Sequence, residues 1–266
     1  MPPLIAALVL LASCRSNRST PTDRPTFTDG QLEVVRTLSP LPAVPNDATN
    51  RVSGDPAAVH FGRFLFFDER LSSNGEVSCA SCHRPNHGFS VPTDKGRGLG
   101  RTPRHPPSLL NVAHHQWYDW DGKADSLWAQ AARPIENPSE MGATRTAVVR
   151  TIHADKRLHR AYEAVFGEMP DLSDGERFDP RARPTPDRPN SAAHRAWKSM
   201  SAADRRTVNR VFSNVLKAIA AYETRLVSGD APFDRWVRAL DAPETGRSSA
   251  MTAAAERSAG PFCVVD

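Results

Sequence analysis

Two cysteines and a histidine, in the order Cys79-Ala80-Ser81-Cys82-His83, are the residues of this chain best suited to chemistry. Two thiols three positions apart can each add to one vinyl group of a porphyrin. A histidine directly after them can donate an imidazole nitrogen to the iron. The pentapeptide therefore predicts one covalently bound haem c with His83 as an iron ligand, and redox chemistry outside the cytoplasm.

Other uses of a Cys-x-x-Cys pair fit less well. A structural zinc site needs four ligands, and no second cysteine pair or compact histidine pair stands at a suitable distance. A thioredoxin-like redox pair needs a strand, a turn and a helix, and the flanks of this motif lack an apolar strand. A simple dithiol or disulfide is the remaining alternative.

Composition limits the classes of function. The chain has 266 residues, 39% of them hydrophobic, which is enough for a sizeable core. The formal net charge is +4, with acidic and basic residues interleaved, so nucleic-acid binding is not expected. The 23 prolines predict long coil segments.

The first residues are typical of an export signal. The apolar run Leu4–Ala12 is too short to cross a bilayer and ends in Leu11-Ala12-Ser13-Cys14, which resembles the lipobox of bacterial lipoproteins. We therefore expect a signal peptide over 1–13, a lipid anchor at Cys14 as the chain's membrane contact, and a periplasmic location. No Lys or Arg precedes the run, and an ordinary secretory peptide with an incidental cysteine is the alternative.

Helical periodicity dominates the rest of the chain, and no alternating strands of useful length occur, so the fold is predicted to be all-α with much coil. Residues 14–50, rich in Ser, Thr, Pro and Asp, are predicted to be a tether. A Pro-rich connector is expected over 171–200. Helices are predicted at Pro56–Phe66, at Ala124–Ala132, as one or two over Thr144–Phe166, and from a cap at Ser201 to a stop at Gly229.

Groups suited to peroxide cleavage follow the haem motif. This reaction moves a proton between oxygens, so it needs a carboxylate or imidazole near the iron and an amide that orients the peroxide. With Trp120, Gln130 and Glu140 in place, the chain resembles the bacterial dihaem cytochrome c peroxidase family, which includes the methylamine-utilisation oxidases. The matching segments are Phe61–Leu71, Ser78–Pro85, Pro107–Val112, Trp120–Met141 and Val208–Phe233.

The resemblance implies roles for individual residues. His83 matches the proximal ligand of the peroxide-reacting haem, Glu140 the distal acid–base carboxylate, and Gln130 the distal amide. Trp120 matches the indole on the electron path between two haems. Each residue also has a plain reading: a lone Trp is usually core, Gln130 could be solvated, and Glu140 could be a helix N-terminal charge.

The family fold implies two cytochrome c-like α domains. We expect the peroxidatic haem domain over 51–170, amphipathic helices that pack on it over 201–245, and the incomplete start of a second haem domain over 246–266. No second Cys-x-x-Cys-His occurs, and the leftover Cys263 fits a truncation or frameshift near that motif. The resemblance implies reduction of hydrogen peroxide with electrons from a periplasmic donor, such as a small cytochrome c or copper protein. The alternative is a monohaem electron-transfer module without turnover.

Two positions depart from the family. Arg97 falls near the place where some members have a histidine that closes the peroxide site, so we expect a five-coordinate iron here. The family also holds a calcium ion between its domains. His105 stands where an Asn often follows the residue that matches Arg104, so calcium is a weaker expectation than haem.

Overall fold

The computed structural model describes residues 26–240, 251–253 and 255–256. The predicted signal peptide, Cys14 and Cys263 lie outside these residues. Within them the chain is helical and coiled, with isolated β-bridges and no sheet, which confirms the all-α prediction. The α-helices of the described residues are α1 (Asp29–Leu38), α2 (Pro56–Phe67), α3 (Cys79–Cys82), α4 (Leu127–Glu136), α5 (Arg145–Ala154), α6 (Lys156–Phe166), α7 (Ala192–Ser199), α8 (Ala202–Glu223) and α9 (Pro232–Arg238).

Local signals explain where the main helices begin. The Asp55 carboxylate accepts a 2.7 Å hydrogen bond from the backbone of Ala57, and Pro56 occupies the first turn of α2. The Ser201 hydroxyl caps α8 by accepting a 3.1 Å hydrogen bond from the backbone N–H of Asp204. The predicted helix starts at Pro56 and after Ser201 are confirmed.

The long helix α8 is the centre of the larger compact unit, which spans Ala43–Ser228. It packs against α2, α4 and α5. At its crossing with α2, a Cβ on Gly62 would lie only 1.8 Å from the carbonyl oxygen of Ala218. The two backbones therefore touch, and only glycine permits that approach.

The end of α8 differs from the prediction. The helix stops at Glu223, before Gly229, and the turn that follows it contacts the loop around Asn111. The carbonyl of Leu226 accepts a 2.7 Å hydrogen bond from Asn111, whose φ of +62° places it in a left-handed turn. The chain therefore leaves the helix to brace the loop that follows the haem motif.

The Pro-rich segment 171–200 is also part of the larger unit. It is coil up to residue 191 and then forms α7. Leu172, Phe178 and Ala182 are fully buried in the main hydrophobic core. The segment therefore contributes to the core, which a flexible linker would not do.

A smaller unit comprises the described parts of Met1–Pro42 and Gly229–Asp266. Helix α1 stands in the segment for which the sequence indicated a tether. It packs Val35 against Trp236 of α9, and the Ser39 hydroxyl donates a 2.6 Å hydrogen bond to Asp234. Helix α9 thus belongs to this unit, whereas the sequence grouped it with α8. Among the described helices, none combines the length and apolar character needed to cross a bilayer.

Candidate haem site

The larger unit contains a cavity of about 620 Å³. Small-molecule and cofactor sites commonly enclose about 300–1,000 Å³, so the cavity is large enough for a prosthetic group. Its walls come from α3, the loop after the haem motif, α4, the turn that follows α4, and the end of α8. All six residues predicted from the sequence line it: Cys79, Cys82, His83, Trp120, Gln130 and Glu140.

His83 is held in the orientation that an iron ligand requires. Its Nδ1 lies 3.0 Å from the carbonyl oxygen of Phe89, and the backbone of Pro107 also interacts with the ring. Burial lowers the pKa of His83, so the imidazole is neutral. The chain reaches this carbonyl through two left-handed residues, Gly88 at φ +61° and Phe89 at φ +56°.

Cys79 and Cys82 begin and end the single turn of α3, and both are free thiols. Residues three positions apart lie on one face of a helix, and both cysteines line the cavity. Burial raises the pKa of the Cys79 thiol to about 12 and also raises that of Cys82. In addition, no group of three or more metal-ligating side chains forms within the described part of the chain.

Haem c fits this donor set. Two thiols on one face can form the two thioether bonds, and the fixed imidazole can supply the axial nitrogen. The space beside Cys82 is kept open by Gly96, where a Cβ would lie 3.0 Å from the Cys82 sulfur and 2.8 Å from Pro106 Cγ. The cavity wall also carries a buried carboxylate oxygen of Glu223 without a hydrogen-bond partner among the described residues.

Glu140 is fixed by the turn that follows α4. Its carboxylate Oε1 accepts a 2.7 Å hydrogen bond from the Asn137 amide, and its backbone carbonyl accepts one of 2.9 Å from Leu99. Burial raises the pKa of Glu140, while the hydrogen bond from Asn137 opposes that rise. A partly buried carboxyl with a raised pKa can both accept and return a proton.

Gln130 projects from α4 toward the same cavity. Its Nε2 donates a 3.2 Å hydrogen bond to Asp119 Oδ1. Asp119 has a φ of +65°, and its second oxygen lies 2.9 Å from the Nε of Arg133 without hydrogen-bond alignment. The amide is therefore oriented by a carboxylate that the sequence analysis did not single out.

Trp120 is not a core residue. Its side chain is 65% exposed, although it lines the cavity mouth. The indole N–H donates a 3.0 Å hydrogen bond to the carbonyl of His105, whose own ring nitrogens contact Thr93 and Ser90. The indole thus has a defined position between the cavity and the surface.

Comparison with known proteins agrees with this geometry. The family model for the di-haem cytochrome c peroxidases matches residues 56–242. An all-α fold with a haem-attachment motif in the wall of a cavity is typical of c-type haem proteins. This chain belongs to the di-haem cytochrome c peroxidase family.

Individual relatives are as follows. The chain is 34% identical over 217 residues to the methylamine utilization protein MauG of Methylorubrum extorquens, covering 81% of this chain and 48% of that protein. It is 33% identical over 189 residues to the cytochrome c551 peroxidase of Pseudomonas aeruginosa, covering 69% of this chain and 44% of the relative. The chain therefore spans about half the length of the curated relatives it matches.

A solved structure has the same fold. The crystal structure of a MauG-like protein associated with microbial copper homeostasis superposes with a TM-score of 0.53 at 24% identity. The match covers 74% of this chain and 48% of that one.

Proposed function

We propose that this chain is a peroxidase-type haem protein that reduces hydrogen peroxide to water. The balanced reaction takes one peroxide, two protons and two electrons, and forms two waters. The observation that carries the proposal is that the haem motif, Gln130 and Glu140 all line one cavity, although they span 62 positions of sequence from Cys79 to Glu140. The bound haem would supply the iron centre at which the oxygen–oxygen bond is cleaved.

The residues of the chain would provide the rest. His83 would hold the iron through Nε2, with its ring fixed by the Phe89 carbonyl. Glu140 would take a proton from the bound peroxide and return it to the departing oxygen, and Gln130 would orient the peroxide. Trp120 lines the cavity and is also 65% exposed to solvent, and it would lie on the path by which electrons enter.

The proposal extends to cellular context. The electron donor would be a small periplasmic cytochrome c or copper protein, and Cys14 would anchor the chain to a membrane by lipid. One covalent haem is proposed for this chain because it carries one Cys-x-x-Cys-His motif. Calcium stays a weaker prediction.

Met141 favours a second candidate function. This residue follows Glu140, is 2% exposed and lines the same cavity. A methionine thioether is a common second axial ligand of electron-carrying cytochromes c. With Met141 on the iron the chain would be an electron-transfer module, because peroxide could not reach the metal.

The test uses the chain matured in a host that attaches haem c. We expect a Soret band, covalent haem on a denaturing gel, and rapid change of the Soret band on mixing with hydrogen peroxide. Glu140→Gln should keep the haem and slow the peroxide reaction by about 10²–10⁴-fold. The double variant Cys79→Ala/Cys82→Ala should lack covalent haem. A resting spectrum with a methionine–iron band that Met141→Leu removes, and no peroxide reaction, would instead establish the electron-transfer function.

A further inference from the structure

Glu223, the last residue of α8, is a buried acidic group on the cavity wall that the proposed function leaves unused. Its side chain is 5% exposed and lies on the wall of the haem cavity. Its Oε2 is buried and has no hydrogen-bond partner among the described residues. Buried polar atoms are nearly always paired, so an orphaned oxygen at a cofactor cavity requires an explanation in what the cavity holds.

The groups around Glu223 do not neutralise it. It raises the pKa of the Cys79 thiol on α3, of the Tyr118 phenol on the facing loop, and of Tyr222 beside it on α8. The nearby cations act on other groups: Arg63 of α2 lowers the pKa of Tyr222, and Arg133 of α4 lowers the pKa of Glu140. Neither cation lowers the pKa of Glu223, which burial raises.

Burial alone therefore governs Glu223. It raises the pKa of this carboxyl to about 8. In the haem-loaded protein Cys79 would be a thioether and could not titrate, which leaves two phenols and Glu223 as the titratable side chains of this set. Because a tyrosine titrates near 10, Glu223 is the member of this set that changes charge near neutral pH.

We propose that Glu223 balances charge in the haem cavity by binding a proton when an electron enters the site, over the pH range in which this carboxyl titrates. The inference rests on the proposed function only in requiring that haem occupies the cavity. The electron comes from the donor, or from a chemical reductant in the test, and is taken up by the ferric iron. The proton comes from water and forms the O–H bond of the Glu223 carboxyl, so the net charge of the cavity is unchanged.

Electrostatics supplies the reason for this coupling. Charges interact strongly where water is excluded, so an ionised Glu223 stabilises the oxidised, more positive site. Adding an electron removes that stabilisation and favours the protonated carboxyl. The midpoint potential should then fall as pH rises through the range in which Glu223 titrates. Uptake of one proton per electron changes the equilibrium constant for reduction tenfold per pH unit. This change corresponds to about 59 mV of midpoint potential per pH unit.

The experiment is spectroelectrochemical titration of the haem-loaded chain from pH 6 to pH 10. The wild type should show a pH-dependent midpoint potential, and Glu223→Gln should show a flat one over the same range. Glu140→Gln removes the other cavity carboxyl whose pKa burial raises, and shows whether the slope comes from that group instead. Glu163→Gln, on the surface of α6, should behave as the wild type.

Several outcomes separate the possibilities. A Glu223→Gln protein with the wild-type slope overturns the inference, as does loss of the slope in Glu140→Gln alone. If Glu223→Gln does not mature, Glu223→Asp and the wild type still give an answer by infrared difference spectroscopy. A protonated-carboxyl band must then appear on reduction in both proteins, at different frequencies, and its absence overturns the inference. A chain without any Soret band instead refutes the proposed function.

Discussion

The backbone N–H of Leu99 donates a 2.9 Å hydrogen bond to the carbonyl oxygen of Glu140, and so ties the loop after the haem motif to the turn that carries the proposed acid–base residue. The two backbones meet without an intervening side chain. A Cβ on Gly98 would lie 2.5 Å from that carbonyl oxygen and 2.7 Å from Glu140 Cα. The position of Glu140 therefore depends on a glycine in a different segment.

Gly98→Ala should displace the Glu140 turn from the cavity while leaving the haem attached. A shift of about 1 Å at a reacting group can cost about 10²-fold in rate, and we expect a loss of that order in the peroxide reaction. Stopped-flow absorbance at the Soret band measures it. Gly100→Ala is the control, since its nearest neighbour, Ser139 Cβ, would be 3.8 Å away. Equal rates for the two variants would contradict this account of Gly98.

Removing the amide beside Glu140 should change the pH dependence of the peroxide reaction. Glu140 must be ionised to accept a proton, and the hydrogen bond from Asn137 stabilises that form. In Asn137→Ala the pKa of Glu140 rises further, so the midpoint of the rate–pH profile should move to higher pH. Ser139→Ala alters the same turn without removing this amide and should leave the midpoint in place. A midpoint shared by Asn137→Ala and the wild type would argue that Glu140 is not the titrating base.

Glu223 should also make folding stability depend on pH. The pKa of this carboxyl is 4.5 unperturbed and about 8 in the folded protein, so the folded state holds its proton over this range while the unfolded state loses it. The contribution of Glu223 to the free energy of unfolding should therefore be fully present below about pH 4.5 and be lost as the pH rises to about 8, by up to a few kcal/mol. Glu223→Gln should lose less stability between these limits. Urea denaturation at pH 5 and pH 8.5 measures this loss in the two proteins. An equal loss of unfolding free energy in the wild type and in Glu223→Gln would contradict the prediction.

Arg145 should matter to the fold rather than to chemistry. Its guanidinium pairs with Glu136 at 2.9 Å, is 19% exposed, and lies 5.6 Å from the Trp197 ring and 5.3 Å from the Phe212 ring. Arg145→Ala would remove the guanidinium from Glu136, leaving it the backbone N–H of residue 145, and should cost about 2–4 kcal/mol of unfolding free energy.

The matched control for Arg145 is Arg181→Ala. Arg181 pairs with Asp179 at 2.7 Å but is 77% exposed, so its loss should cost much less than the loss of Arg145. Chemical denaturation with unchanged Soret absorbance distinguishes a fold effect from loss of haem. Similar midpoints for the two variants would show that the burial of Arg145 adds nothing.

Helices with local signals were predictable from the sequence. Apolar spacing and caps define α2 and α8, and the pair over Thr144–Phe166 is divided at Asp155, which caps α6. Helix α1 was not foreseen because it lies in a polar, Pro-rich segment, although Thr28 and Gln31 form a capping box at its start. Its stability comes from Trp236, two hundred positions later, and no local pattern contains that contact.

The candidate site divides in the same way. The attachment motif is contiguous, and Glu140 and Gln130 were indicated by the family resemblance. Asp119 and Glu223 carried no such signal, since an acid in a loop or at the end of a helix is ordinarily a solvated charge. Their importance arises from burial beside a cavity, which depends on how distant segments pack.

The contact between Gly62 and Ala218 has a consequence for the width of the site. One cavity wall is carried by α8 through Ile219 and Glu223, directly after the crossing, while α2 leads through a short loop to the haem motif. The absence of a side chain at Gly62 thus sets the distance between the two helices. A methyl group at this position would push α2 and α8 apart. It would thereby change the width of the cavity available to the porphyrin, although Gly62 itself does not line that cavity.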